Sequence, residues 1–189
     1  MGKRQEKVLE RLRRAQDELA LVRIDRGSDL DLIEGYVVAV GAEWLLLAVL
    51  DGAIVLDGHT ALRLQDVRAV RQRSSGDMAQ QALTLREQWP PTLPAVQLDL
   101  DSARGLLTSL LAQPVITVHP ELDDPDVCFV GAPAELGDRS LRLLEVTPRG
   151  VWNSRPTKHR VEDITRVDIG GRYEQALLSV AGPATADRK

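Results

Sequence analysis

Only one cysteine, Cys128, occurs in the 189 residues, together with three histidines and two methionines. A single thiol excludes an internal disulfide and the multi-cysteine clusters that hold structural zinc, and it fits a reducing compartment. Aromatic residues make up 3% of the chain, which leaves few rings for the base stacking used by single-strand binders. Surplus positive charge is also lacking. With 24 basic and 28 acidic residues the net charge is -4, so any site for nucleic acid or an anionic membrane must be local. No apolar run reaches the roughly 20 residues of a membrane helix. The longest, Tyr36 to Leu50, is interrupted by Glu43 and reads as two strands and a turn. The start MGKRQEKVLERLRR has basic residues without the apolar core of a signal peptide, and Glu6 stands where a myristoylation motif needs Ser or Thr. Together these absences predict a cytoplasmic protein with no membrane partner. What remains, 43% hydrophobic and 28% charged residues, is the composition of an ordinary folded chain of one or two domains.

The chain reads as one unit written twice. At a constant offset of 96, Val22, Gly35, Gly41, Leu45 and Leu47 fall on Val118, Gly131, Gly137, Leu141 and Leu143. At 97, Thr60, Arg63, Asp66 and Val70 fall on Thr157, Arg160, Asp163 and Val167. The period is too long and the copies too few for a solenoid, so each copy is expected to be a domain with its own core. The expected organisation is a first copy over 1–73, a linker with a helix over 74–100, and a second copy with a closing helix over 101–189.

Each copy opens with a helical segment. In the first, Val8, Leu9, Leu12, Ala15 and Leu19 share a face opposite Arg4, Lys7, Arg11 and Arg14; in the second, Leu106, Leu107, Leu110 and Leu111 recur at helical spacing behind Ser102 as N-cap. Only short strands follow. They are expected at 20–24, 33–40, 44–50, 54–64 and 67–71, and again at 115–118, 127–136, 141–147, 151–161 and 164–169. The stretches 78–89 and 173–180 read as helices, and Pro90-Pro91-Thr92-Leu93-Pro94 cannot continue the first of them.

A helix followed by five short strands, the last two separated by a one-turn break at Gln65-Asp66 or Glu162-Asp163, resembles the Sm-like version of the SH3-like small barrel. The segment IEGYVVAVGAEWLLLAVL is similar to the first Sm motif, and GAPAELGDRSLRLLEV matches it in the second copy. The resemblance implies a mainly β fold with short helices: two tandem five-stranded barrels, each preceded by an α-helix. At the positions where the Sm pattern carries its base-holding Asp and Asn, this chain has Gly41 and Leu45, and Gly137 and Leu141.

Candidate sites are few. Eight basic residues against five acidic over 1–26 make the first helix the one concentration of positive charge, while 27–70 holds seven acidic and two basic residues. Lys7, Arg11 and Arg14 on the helix face are therefore the candidate nucleic-acid contacts; the alternative is a solvated face with pairs such as Glu10 and Arg14. Arg63 with Asp66, and Arg160 with Asp163, recur at one turn of each copy, where an Asp can cap exposed N–H groups and the Arg can pair nearby. Glu121, Asp123, Asp124 and Asp126 offer oxygens to a hard cation but lack the spacing and glycine of a calcium loop, so they read as a solvated acidic segment. Cys128, within VCFVG, is expected to behave as a small buried hydrophobe. No histidine lies in a catalytic or metal-ligand motif, Gly170-Gly171 lacks the context of a phosphate loop, and no cofactor is expected.

The expected function is a non-enzymatic interaction or adaptor module with a protein partner. RNA binding through the basic helix face is the first alternative, an enzyme whose site spans the two copies the second, and self-association is compatible with any of them.

Overall fold

Helix α1, Lys3–Asp17, forms where good helix formers carry an apolar stripe: Val8, Leu12 and Ala15 are buried and the charged side chains face outward. Strands β1 (Leu21–Asp25), β2 (Ile33–Val40), β3 (Trp44–Leu50) and β4 (Leu56–Arg63) follow, then a 3₁₀ turn at Leu64–Asp66, β5 (Ala69–Gln72) and helix α2 (Gly76–Leu85). The order then repeats. Helix α3 (Ala103–Ser109) precedes β6 (Ile116–His119), β7 (Phe129–Leu136), β8 (Ser140–Glu145) and β9 (Thr157–Arg160), a 3₁₀ turn at Val161–Asp163, β10 (Arg166–Ile169) and α4 (Arg172–Ala181). The computed structural model describes residues 2–27, 30–74, 76–122 and 124–184. The chain divides into two units, Met1–Ala95 and Val96–Lys189, and the architecture of both is mainly β and antiparallel.

Strand order is β5-β1-β2-β3-β4 in the first unit and β10-β6-β7-β8-β9 in the second. Among the described residues neither run is closed by pairing of its own end strands; β4 and β5 are joined by the 3₁₀ turn. The two runs share fine detail. Gly35 lies opposite Val49 and Gly131 opposite Glu145, and the register shifts between Val37 and Ala39 in β2 and between Pro133 and Glu135 in β7. A Cβ on Gly35 would stand 2.4 Å from the Ala48 carbonyl oxygen, and one on Gly131 2.4 Å from that of Leu144. Glycine is thus required at one place in both units, where neighbouring backbones cross closely.

One equivalence drawn from sequence shifts. Val118 lies opposite Phe129 and Val167, which is the place Ile24 holds opposite Ile33 and Val70. Val118 therefore corresponds to Ile24 rather than to Val22. The loop after β6 is two residues longer than the loop after β1, and an ungapped comparison cannot register that.

Alternation along the strands distributes the side chains over two faces. In the first unit Val22, Ile24, Val37, Leu45, Leu47 and Leu62 join Val8, Leu12 and Ala15 of α1 in one core. On the opposite face Leu21 and Tyr36 are buried with Ala79 and Leu83 of α2, and Tyr36 meets Trp89 edge-on at 5.2 Å between ring centroids. Cover on both faces explains why β3 reads WLLLAVL without alternation. In the second unit Leu177 of α4 packs with Val115, Val130 and Val146, while Ile116, Val118, Leu141 and Leu143 are buried along with Leu106, Leu107 and Leu110. Ser102 caps α3, its Oγ accepting from the Gly105 N–H at 2.9 Å.

The broken stretch 151–161 yields less strand than its composition suggests. Val151 follows the Thr147–Gly150 turn and Pro156 cannot donate to a ladder, so only Thr157–Arg160 pairs continuously and Trp152 makes an isolated bridge to Val146. No helix among the described residues is long and apolar enough to cross a membrane.

Candidate functional site

Burial of one face of α1 decides where its charges go. Side chains of the helix are tied to the strands beneath it: the Gln5 amide donates to the Leu64 carbonyl at 2.7 Å and that of Gln16 to the Val38 carbonyl at 3.2 Å. Arg4 donates to the Arg68 carbonyl at 3.0 Å and Arg11 to the Val70 carbonyl at 3.5 Å. Ladder pairing of β5 with β1 uses the backbone of the intervening residues, so the arginines satisfy carbonyls on the outer edge of β5. Each guanidinium has five N–H donors, and each of these contacts uses one nitrogen.

Between α1 and the start of β5 lies a groove of about 360 Å3, floored by Val8 and Ala69 and ringed by Lys3, Arg4, Lys7, Arg11 and Arg68. No carboxylate lines it, and none of the five cations is paired with one among the described residues. Convergent like charges without counter-ions raise the local potential in spite of the net negative charge of the chain. Lys7 and Arg11 therefore stand in this groove as the sequence reading grouped them. Arg14 does not line this groove but a different depression, with Glu6, Glu10, Arg13 and Asp17, where the charges are mixed. Lys3 and Arg4 belonged to the same basic segment. Arg68 was invisible as a site residue because nothing in the sequence ties it to the first helix, to which the 3₁₀ turn that precedes it brings it.

The repeated turn is not alike in the two units. Arg63 Nε donates to Asp66 Oδ2 at 2.6 Å, and both side chains are 14% exposed. Arg160 Nε stands 3.7 Å from Asp163 Oδ2, is 68% exposed and also pairs with Glu162. In neither 3₁₀ turn does a side chain cap the first N–H groups. The Asp acts through the guanidinium, tightly in the first unit and loosely in the second.

Every histidine has a partner. His59 Nε2 lies 2.7 Å from the Thr92 carbonyl oxygen, and burial lowers its pKa against the raising effect of that bond. His119 Nε2 donates to Asp168 Oδ2 at 2.8 Å, and Arg166 donates to both oxygens of the same carboxylate at 2.8 and 2.7 Å. Burial alone would raise the Asp168 pKa; the His119 bond and the Arg166 charge outweigh it and hold the carboxyl well below the usual range. Glu121 is buried, accepts from Thr165 Oγ1 at 2.7 Å and lies 3.9 Å from Arg166, so it belongs to this network instead of a solvated acidic segment. Asp124 accepts from the Asp126 N–H at 3.2 Å within a turn. Asp123 lies outside the described residues, and among those described no group of three His, Cys, Asp or Glu is placed to hold a metal.

Cys128 corrects the sequence reading: it is exposed, because β7 begins only at Phe129. Its thiol pKa is pushed up by burial of part of the group and by the charge of Asp168, with Arg166 opposing and Glu174 adding to the rise. Comparison of the chain with protein-family models, with curated proteins and with solved structures finds no match.

Proposed function

We propose that this protein is a non-enzymatic interaction module of two tandem small barrels of Sm-like, SH3-like order, and that the basic groove of its first unit receives an acidic segment of a protein partner. The groove carries the reading: five cationic side chains converge on a lining that holds no carboxylate. Supporting the barrel assignment are the leading helix, the strand order with the fifth strand beside the first, and the 3₁₀ turn between the fourth and fifth, all present in both units. An acidic polypeptide suits the lining because its carboxylates match guanidinium donors while Val8 and Ala69 accept a small apolar side chain.

RNA is the second reading, favoured by the same convergence of cations, which would meet phosphates. No aromatic ring lines the groove, so such binding would rest on phosphate contacts without base stacking. Fluorescence anisotropy with a labelled acidic peptide and with mixed single-stranded RNA separates the two. The acidic peptide should bind more tightly, and the triple reversal Lys7→Glu, Arg11→Glu, Arg68→Glu should abolish its binding. RNA should bind only in the non-specific range of roughly 0.1 mM to 1 μM or weaker at physiological salt. Submicromolar, sequence-selective RNA binding that falls steeply with salt and is lost in the reversal would replace the first reading with the second.

A further inference from the structure

The second unit holds a pocket of about 250 Å3 lined by Cys128, Phe129, Glu145, Asn153 and Tyr173 among apolar neighbours. At three positions in or beside it the first unit has hydrocarbon. With the strands in equal register, Glu145 stands where Val49 is, Phe129 where Ile33 is, and His159 where the fully buried Leu62 is. A carboxylate thus stands in place of a partly buried valine, and an imidazole in place of a core leucine, in one unit only, a change that costs stability unless the polar groups are satisfied.

They are satisfied unevenly. Glu145 Oε1 accepts from His159 Nε2 at 3.0 Å and from Thr157 Oγ1, whereas among the described residues Oε2 has only the Asn153 amide at 3.5 Å. Among the described residues no lysine or arginine pairs with Glu145, although its side chain is 18% exposed. The Phe129 ring is tilted against His159 with centroids 4.5 Å apart, and Tyr173 stands on the rim at the start of α4. Nearby Asp168 and Glu174 make the field at Cys128 more negative than Arg166 offsets. A mostly desolvated carboxylate with an open oxygen, bordered by two aromatic rings in a negative field, has the chemistry of a cation site.

We propose that this pocket binds an organic cation, an alkylammonium or guanidinium group, with Glu145 as its counter-ion and Phe129 and Tyr173 as its aromatic walls. The volume suits one group of side-chain size and lies below that of pockets for larger ligands. The cation would come either from a free amine or from a basic side chain of another polypeptide. The site is independent of the groove in the first unit.

Because Cys128 is the only thiol, its alkylation by uncharged N-ethylmaleimide reports occupancy directly. Agmatine serves as the free cation, N-acetylarginine amide as the side chain, and N-acetylnorleucine amide as the neutral control. One or both cations should slow alkylation with half-protection on the order of 1 mM, and the neutral amide should not. Stronger protection by agmatine identifies a free amine, and stronger protection by the amide a polypeptide side chain. Glu145→Gln should raise the half-protecting concentration about tenfold or more. Tyr173→Ala, at a residue exposed enough to spare the fold, should raise it about two- to fivefold, and Glu162→Gln on the exposed turn should leave it unchanged. Absence of protection by both cations, equal protection by the neutral amide, or protection undiminished in both Glu145→Gln and Tyr173→Ala would overturn the proposal.

Discussion

Replacing Gly35 by alanine adds one methyl group at the closest backbone crossing of the first unit. The new Cβ would stand 2.4 Å from the Ala48 carbonyl oxygen and 3.2 Å from both the Ala48 carbonyl carbon and Val49 Cα. Ordinary contact between such atoms begins near 3.4 Å, so about 1 Å of relief is needed, and it must come from backbone because no side chain can swing away. Overpacking of this kind costs about 1–3 kcal/mol. Loosening one ladder hydrogen bond between β2 and β3 adds about 1 kcal/mol, for an expected loss of about 2–4 kcal/mol. Gly131→Ala should cost at least as much, since Leu144 O lies at 2.4 Å and both Glu145 Cα and Leu143 Cγ at 2.9 Å. Gly52→Ala is the control: nothing lies within 4 Å and its φ is ordinary, so stability should be unchanged or rise by up to about 1 kcal/mol. Urea unfolding followed by tryptophan fluorescence reads both units, through Trp44 in the first and Trp152 in the second. If Gly35→Ala unfolded within about 0.5 kcal/mol of Gly52→Ala, the close approach would not be the reason for glycine there.

Asp66→Ala should destabilise the first unit by about 1–2 kcal/mol, because it removes the carboxylate bonded at 2.6 Å to a mostly buried guanidinium, whereas Asp163→Ala should stay within about 0.5 kcal/mol. Denaturant melts of the two variants test that asymmetry. Asp168→Asn leaves Arg166 and His119 without their shared carboxylate and should cost the second unit about 2–4 kcal/mol in the same melts. The folded-state pKa of Asp168 lies below its unfolded value, so the stability it contributes is complete above about pH 4 and is lost as pH falls through the folded value. Acid titration by circular dichroism should accordingly show the parent losing stability more steeply below about pH 4 than Asp168→Asn does.

Local patterns told much of the fold. Strands β2 and β3 have the bounds expected from their apolar runs, α1 buries Val8, Leu12 and Ala15 of its expected stripe while Leu19 lies beyond its end and is exposed, and the breaks at Gln65-Asp66 and Glu162-Asp163 are 3₁₀ turns. Each of these follows from neighbours in sequence. What depends on distant partners was not legible. Arg68 reaches the groove through a turn whose direction no spacing reveals, and Arg14 is diluted by acids one helical turn away. Glu145 and His159 read as unremarkable polar residues until strand register set them beside each other at 3.0 Å. Exposure of Cys128 hinged on β7 starting two residues later than its apolar neighbours implied.

Helices α2 and α4 have a consequence for how this chain can be divided. Leu83 is fully buried against Leu21 and Tyr36, and Leu177 is buried against Val115, Val130 and Val146. A fragment cut after the fifth strand would lose its closing helix, expose Leu21 and Tyr36 or Val115, Val130 and Val146 to water, and invite association through the bared sheet. The smallest portable piece of either unit is thus helix, strands and closing helix together.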